Sequence, residues 1–117
     1  MQHVVMRHVI QDAKPLSEPV VLILTSLASE PKHGYALLKD VEQLSGGRIQ
    51  LSTGTLYGAI RRLLDDGWIE RFEQDDTSRD KQAYCVTGRG RALLRSEIAR
   101  LRHLLESATT RLGLKGA

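Results

Sequence analysis

The stretch Ser52-Thr53-Gly54-Thr55-Leu56-Tyr57-Gly58 gathers three aliphatic hydroxyls, a phenol and two glycines, and Arg61 and Arg62 follow within a turn. Ser52 is a strong helix N-cap candidate, because its side-chain oxygen can accept from a first-turn N–H. Short side chains just inside a cap let the backbone come close to another molecule, and the free N–H groups at a helix N-terminus can take a phosphate. Threonine hydroxyls, a phenol and an arginine fork are groups that grip phosphate oxygens or read base edges. Glycine costs a helix interior about 1 kcal/mol relative to alanine. A helix written for stability alone would not carry two of them, so the pattern points to a surface that something else approaches.

Other chemistries lack the residues they need. His3, His8, His33 and His103 are widely spread, no pair has the spacing of metal ligands on a helix, and Cys85 has no neighbouring ligand. No carboxylate pair, nucleophile with a base, or phosphate-binding loop is legible, so an enzyme is not expected, nor a metal or cofactor. Cys85 alternates with Tyr84 and Val86 and has only Lys81 and Arg89 near it in sequence. It reads as a small strand residue kept reduced rather than as a redox sensor.

Elements that would position the stretch surround it. Pro15 and Ser17 precede EPVVLILTSLASE, dense enough in apolar residues for a helix buried on most sides, with Pro19 in its first turn. PKHGYALLKDVEQLSGG places Tyr35, Leu37, Leu38, Val41 and Leu44 at helical spacing and ends on Gly46-Gly47. A third helix, Ser52 to Asp66, carries Leu56, Ile60, Leu63 and Leu64 as an inward stripe, which leaves Thr53, Gly54, Thr55, Tyr57, Gly58 and Arg61 outward. WIERFEQ and KQAYCVT read as two strands joined by the turn-rich DDTSRD, a hairpin. From Gly88 a long helix carries Leu94, Ile98, Leu101, Leu105, Ala108 and Leu112 in alternating steps of four and three, the seam of a helix lying along another helix. The expected fold is mainly α with a small β-hairpin wing (α+β), a winged helix-turn-helix. Residues 1–87 would form the DNA-binding domain with an N-terminal arm over 1–16, and residues 88–117 a C-terminal dimerisation helix whose partner is a second copy.

Composition agrees with one soluble domain: 117 residues, 41% hydrophobic and 26% charged, far from the balance of a disordered chain. The longest apolar run, Val20 to Leu24, is too short to cross a bilayer, and the first 15 residues lack the form of a secretory signal, which predicts a cytoplasmic protein without a membrane partner. Net charge is +3, yet residues 88–117 hold seven basic against two acidic side chains, so residues 1–87 sum to −2. A modest number of phosphate contacts and a shallow salt dependence are expected.

The segment PKHGYALLKDVEQLSGGRIQLSTGTLYGAIRRLLDDGWIE closely resembles the PadR family of bacterial transcriptional regulators, with its Pro-x-His-Gly-Tyr helix start, Gly-Gly turn and Ser-x-Gly-Thr-Leu-Tyr recognition helix. AYCVTGRGRALL resembles the family's run out of the wing, and the short chain resembles the smaller subfamily with one C-terminal helix. The resemblance covers roughly residues 20–95. It implies a homodimeric repressor on an inverted-repeat operator, with Ser52, Thr53, Gly54, Thr55 and Tyr57 at the DNA. Arg61 and Arg62 continue that helix, Arg61 outward by spacing and Arg62 bracing the domain or touching backbone. Tyr35 and His33 are expected to be structural.

The wing departs from the family pattern. Asp75, Asp76 and Asp80 oppose phosphate and leave Arg79 and Lys81 as its DNA contacts. A small apolar effector between the C-terminal helix and the partner's domain is a further candidate, though the only tryptophan, Trp68, begins the wing instead of lying on that helix. The rival reading from another class is a winged-helix protein-interaction module that never contacts DNA.

Overall fold

The structure is a computed structural model of the chain and describes residues 15–73 and 82–114. In chain order the elements are α1 (Glu18–Ser29), β1 (Lys32–His33), α2 (Gly34–Leu44), α3 (Thr53–Asp65), β2 (Ile69–Phe72), β3 (Ala83–Val86) and α4 (Gly88–Leu112). Residues 1–14 of the N-terminal arm and the wing residues 74–81 lie outside the described residues.

Three of the four helices begin at a side-chain cap, Ser17, Ser52 and Thr87, while α2 begins at His33 without one. The Ser17 hydroxyl accepts from the Val20 N–H at 3.4 Å, and Pro19 sits in the first turn of α1, where a missing N–H costs nothing. α2 stops at Gly46 and Gly47, whose φ of 65° and 82° only glycine adopts freely, and the Gly47 N–H returns to the Glu42 carbonyl at 2.8 Å. Beyond that turn the Arg48 guanidinium forks onto the exposed Glu18 carboxylate at the start of α1 and holds it below the ordinary glutamate range.

The core is one cluster. Ile23, Leu24 and Leu27 of α1 are 0–1% exposed and meet Leu37 and Val41 of α2, Leu56, Ala59, Ile60 and Leu63 of α3, Ile69 of β2, and Tyr84 and Val86 of β3. Ser26 is buried with them, and its hydroxyl donates to the Asp40 carboxylate. Lys32 closes this polar group by donating to the Ser26 carbonyl and to the Ser29 hydroxyl, 3.8 Å from Asp40, so the last turn of α1 is satisfied by a side chain from the next element.

The sheet has three antiparallel strands in the order β1-β3-β2, one more than the expected hairpin. β1 is the extended Lys32-His33 pair ahead of α2, in register with Tyr84 and Ala83, while β2 pairs Ile69 with Val86 through to Phe72 with Ala83. Two residues cannot display a period of two, so this strand has no signature in the sequence.

A second correction concerns α4. Leu94 does not join an intermolecular seam: it is 9% exposed and belongs to the core of its own domain. The first turns of α4 are fastened by Thr87, whose hydroxyl donates to the Gly67 carbonyl at 2.7 Å and accepts from the Gly90 N–H at 3.0 Å. Gly90 lies so close to the wing that a Cβ there would stand 2.1 Å from the Trp68 carbonyl oxygen and 2.7 Å from a Val86 methyl. Buried Glu97, paired with Arg100 at 2.6 Å and held below the ordinary glutamate range chiefly by it, marks where α4 leaves the core. Beyond it Ile98, Leu101, Leu105, Ala108 and Leu112 are exposed.

The crowding at Gly90 gives a direct test. Gly90→Ala is expected to destabilise the protein by about 1–3 kcal/mol in denaturant unfolding, since the methyl meets backbone that cannot swing aside; unchanged stability would show that α4 does not approach Trp68 this closely.

Candidate nucleic-acid interface

α3 is held by its apolar stripe. Leu56, Ala59, Ile60 and Leu63 are buried, and Leu64 is half-buried beside them. Its N-terminus is closed by Ser52, which accepts from the Thr55 N–H at 3.1 Å and donates to the Thr55 hydroxyl at 2.9 Å. Its C-terminus turns at Gly67 (φ 76°), and the Trp68 N–H reaches back to the Leu63 carbonyl at 3.0 Å. With the stripe inward, Ser52, Thr53, Gly54, Thr55, Arg61 and Arg62 are all exposed.

Gly54, Gly58 and Arg61 fall at i, i+4 and i+7 and so follow one line down the outside of α3. Thr53 and Tyr57 flank that line on one side, Thr55 and Arg62 on the other. Among the described residues a Cβ built on Gly54 or Gly58 meets nothing within 4 Å, and neither residue has a positive φ. Neither packing among the described residues nor backbone conformation therefore requires glycine at these sites. The line is bare on the outside, with the Arg61 guanidinium at its end and the free N–H groups of a capped helix at its start.

Tyr57 differs from its expected pose. It is 42% exposed and does not project freely, because its ring lies over Gly34 at the start of α2. Tyr35 differs in the opposite sense: it does not pack but is 70% exposed, with the Lys39 ammonium 5.7 Å from its ring centroid. Gly34, Tyr35, Leu38, Thr53, Leu56 and Tyr57 line a cleft of about 200 Å³ between the starts of α2 and α3. Tyr35 and Lys39 thus stand beside the outer face of α3, an aromatic and a cation whose i, i+4 spacing is visible in the sequence. His33 caps α2 without a side-chain hydrogen bond, and its buried Nδ1 finds no partner among the described residues. Arg79 and Lys81 lie outside the described residues. The described part of the wing contributes exposed Glu70, Arg71, Phe72 and Glu73.

The Cys85 thiol is pushed up by burial and then by the Glu70 carboxylate, whose oxygen lies 3.8 Å from the sulfur. A thiol held protonated is a poor nucleophile. Among the described residues no group of three metal-ligating side chains is assembled, and no helix is long and apolar enough to cross a membrane.

A model of the transcriptional regulator PadR-like family matches residues 23–96, from the middle of α1 into α4. The chain belongs to this family. This PadR-like chain is also 40% identical, over 77 residues or 66% of its length, to an uncharacterized 37.1 kDa protein in transposon TN4556 of Streptomyces fradiae. It spans only 21% of that relative's length. Among solved structures, a transcriptional regulator from Clostridium thermocellum superimposes with a TM-score of 0.67 at 20% identity, covering 79% of this chain and 87% of that one. A PadR family transcription regulator from Clostridium difficile gives a TM-score of 0.67 at 19% identity, covering 82% of this chain and 98% of that one. At such identities the likeness establishes the winged-helix fold and nothing finer.

Within the PadR-like fold the two outer glycines carry a stability test of their own. Gly58→Ala is expected to stabilise the isolated protein by about 1 kcal/mol, and Gly54→Ala by less because it lies in the first turn. Thermal or denaturant unfolding checks both, and a loss of stability would mean that the outside of α3 is occupied.

Proposed function

We propose that the chain is a homodimeric repressor that binds an inverted-repeat operator by laying the bare side of α3 into the major groove. The observation that carries this reading is the open space at Gly54 and Gly58, a strip kept free of side chains although the protomer gains nothing from it. In a helix-turn-helix the second helix enters the groove with its N-terminal residues toward the base edges, and the preceding helix crosses the phosphate backbone. Ser52, Thr53, Gly54, Thr55 and Tyr57 then face the DNA at the start of α3, with Arg61 reading guanine or holding phosphate. Arg62 touches the backbone on the flank, and Tyr35 with Lys39 lies where α2 meets the phosphates. Arg79 and Lys81 are the wing's contributions.

The second copy supplies the other half-site. Ile98 and Leu101 are 45% and 41% exposed, and Leu105 and Leu112 are 53% and 72% exposed, an apolar line on a helix that has left its own core. With Ala108 it forms the seam on which the partner's α4 packs. Leu104, 56% exposed, lies to one side of the seam and offers a small apolar effector a surface between α4 and the partner. An effector that moves one α4 against the other changes the spacing of the two α3 helices and releases the operator.

Fluorescence anisotropy on a duplex from the region upstream of the protein's own gene, against a scrambled duplex at several salt concentrations, is the test. Tight, sequence-selective, salt-weakened binding is expected, and Gly58→Ala should lower operator affinity about tenfold or more while raising stability. Equal affinity of Gly58→Ala and wild type would move the DNA surface elsewhere. Leu101→Glu should give monomers in analytical ultracentrifugation; a dimer of that variant would remove α4 as the interface.

A further inference from the structure

Gly34 is the first residue of α2 and is buried. Its φ is not positive, so the backbone does not demand glycine there. A side chain there would meet Tyr57: a Cβ on Gly34 would stand 2.2 Å from the phenolic oxygen, 2.9 Å from Cζ and 3.4 Å from Cε1, so the ring would have to leave its seat. The missing side chain of one helix is the seat for the ring of another. Gly34 also follows directly on β1, whose Lys32 and His33 are in register with Tyr84 and Ala83 of β3, the central strand. Tyr84 is 6% exposed, and its hydroxyl is pushed up first by burial and next by the neighbouring Tyr57. Two helices therefore meet at the tip of one side chain, the outer flank of α3 and the start of α2, and α2 follows directly on the edge strand of the sheet.

We infer that Tyr57 is a positioning strut, seated on the bare Cα of Gly34 where α2 follows β1, that fixes the angle between α3 and the sheet carrying the wing. Its consequence for binding rests on the operator reading above: the strip of Gly54, Gly58 and Arg61 keeps a set orientation to the wing only while the ring is seated. Gly34 is buried beneath that ring and is not a DNA contact. A substitution there reaches the DNA only by displacing Tyr57.

The two residues form a double-mutant cycle, read by melting temperature and by operator affinity in the full chain. Gly34→Ala is expected to lower the melting temperature by several degrees and to weaken operator binding about tenfold. In a Tyr57→Ala background the added methyl enters vacated space, so the same substitution should cost neither stability nor affinity. Equal losses in both backgrounds, or no loss in either, would overturn the strut. If Gly34→Ala alone does not fold, a folded double variant supports it and an unfolded one overturns it. The melting arm involves no DNA. Coupling there, together with no operator binding by the wild-type protein, would sustain the strut and overturn only the operator reading.

Discussion

The structure depends on the near-complete burial of one side of α1. Ile23, Leu24 and Leu27 retain at most 1% of their accessible surface, and burying side chains of this size contributes roughly 1.5–3 kcal/mol each. Every other element except β1 contributes apolar residues to the same cluster. Because α1 is apolar on most sides, it also drags Ser26 into the interior, and a buried hydroxyl is costly unless it is hydrogen-bonded. Asp40 and Lys32 meet that cost and at the same time join α1 to α2 and to the strand between them. The hydrophobic constraint thus fixes where the first helix of the helix-turn-helix pair lies, and the stripe on α3 then leaves only one face of the second helix outside.

Glycine has two opposite causes in this fold. At Gly34 and Gly90 the space for a side chain is taken, by a tyrosine ring in one case and by a backbone carbonyl in the other. At Gly54 and Gly58 the space is empty. An unfilled site inside a helix costs helix stability, and the proposed approach of DNA to the outside of α3 gives that cost a use. Identical letters in the sequence therefore stand in crowded surroundings in two places and in open ones in two others.

Much of this was legible before the structure. The caps, the Gly46-Gly47 stop, the α3 stripe and the two longer strands are local features, decided by residues within a turn or two of one another. What was not legible depends on residues far apart in the chain. β1 exists because β3, some fifty residues later, has a free edge beside it. Leu94 continues the periodicity of the exposed seam without a break, and only the path of α4 across the domain decides that this position faces inward. Tyr35 and Tyr57 carry the same side chain, yet the crowding around Gly34 seats one and leaves the other in solvent. The outer face of α3 was readable as a face; the bracing of Tyr57 against α2 was not, because periodicity says which side a residue is on and nothing about which neighbour leans over it.

α4 connects these two regimes. Its first turns are part of the domain, locked by the contact of Gly90 with Trp68 and by Thr87, which bonds the carbonyl of Gly67 at the turn that ends α3. Trp68 in turn hydrogen-bonds the Leu63 carbonyl in the last turn of α3. The physical path from the exposed part of α4 to the C-terminal end of α3 is therefore short, backbone-to-backbone in most of its steps, and without a flexible side chain to absorb displacement. Close-packed contacts of this kind transmit a shift rather than damp it. A rotation of the distal, apolar part of α4 against a second copy would reach the foot of α3 along this path, while Tyr57, in the second turn of α3, rests on the start of α2. The helix would tilt about that seat, and because Thr53 and Arg61 each lie four residues from Tyr57, the tilt would swing the two in opposite directions by similar amounts.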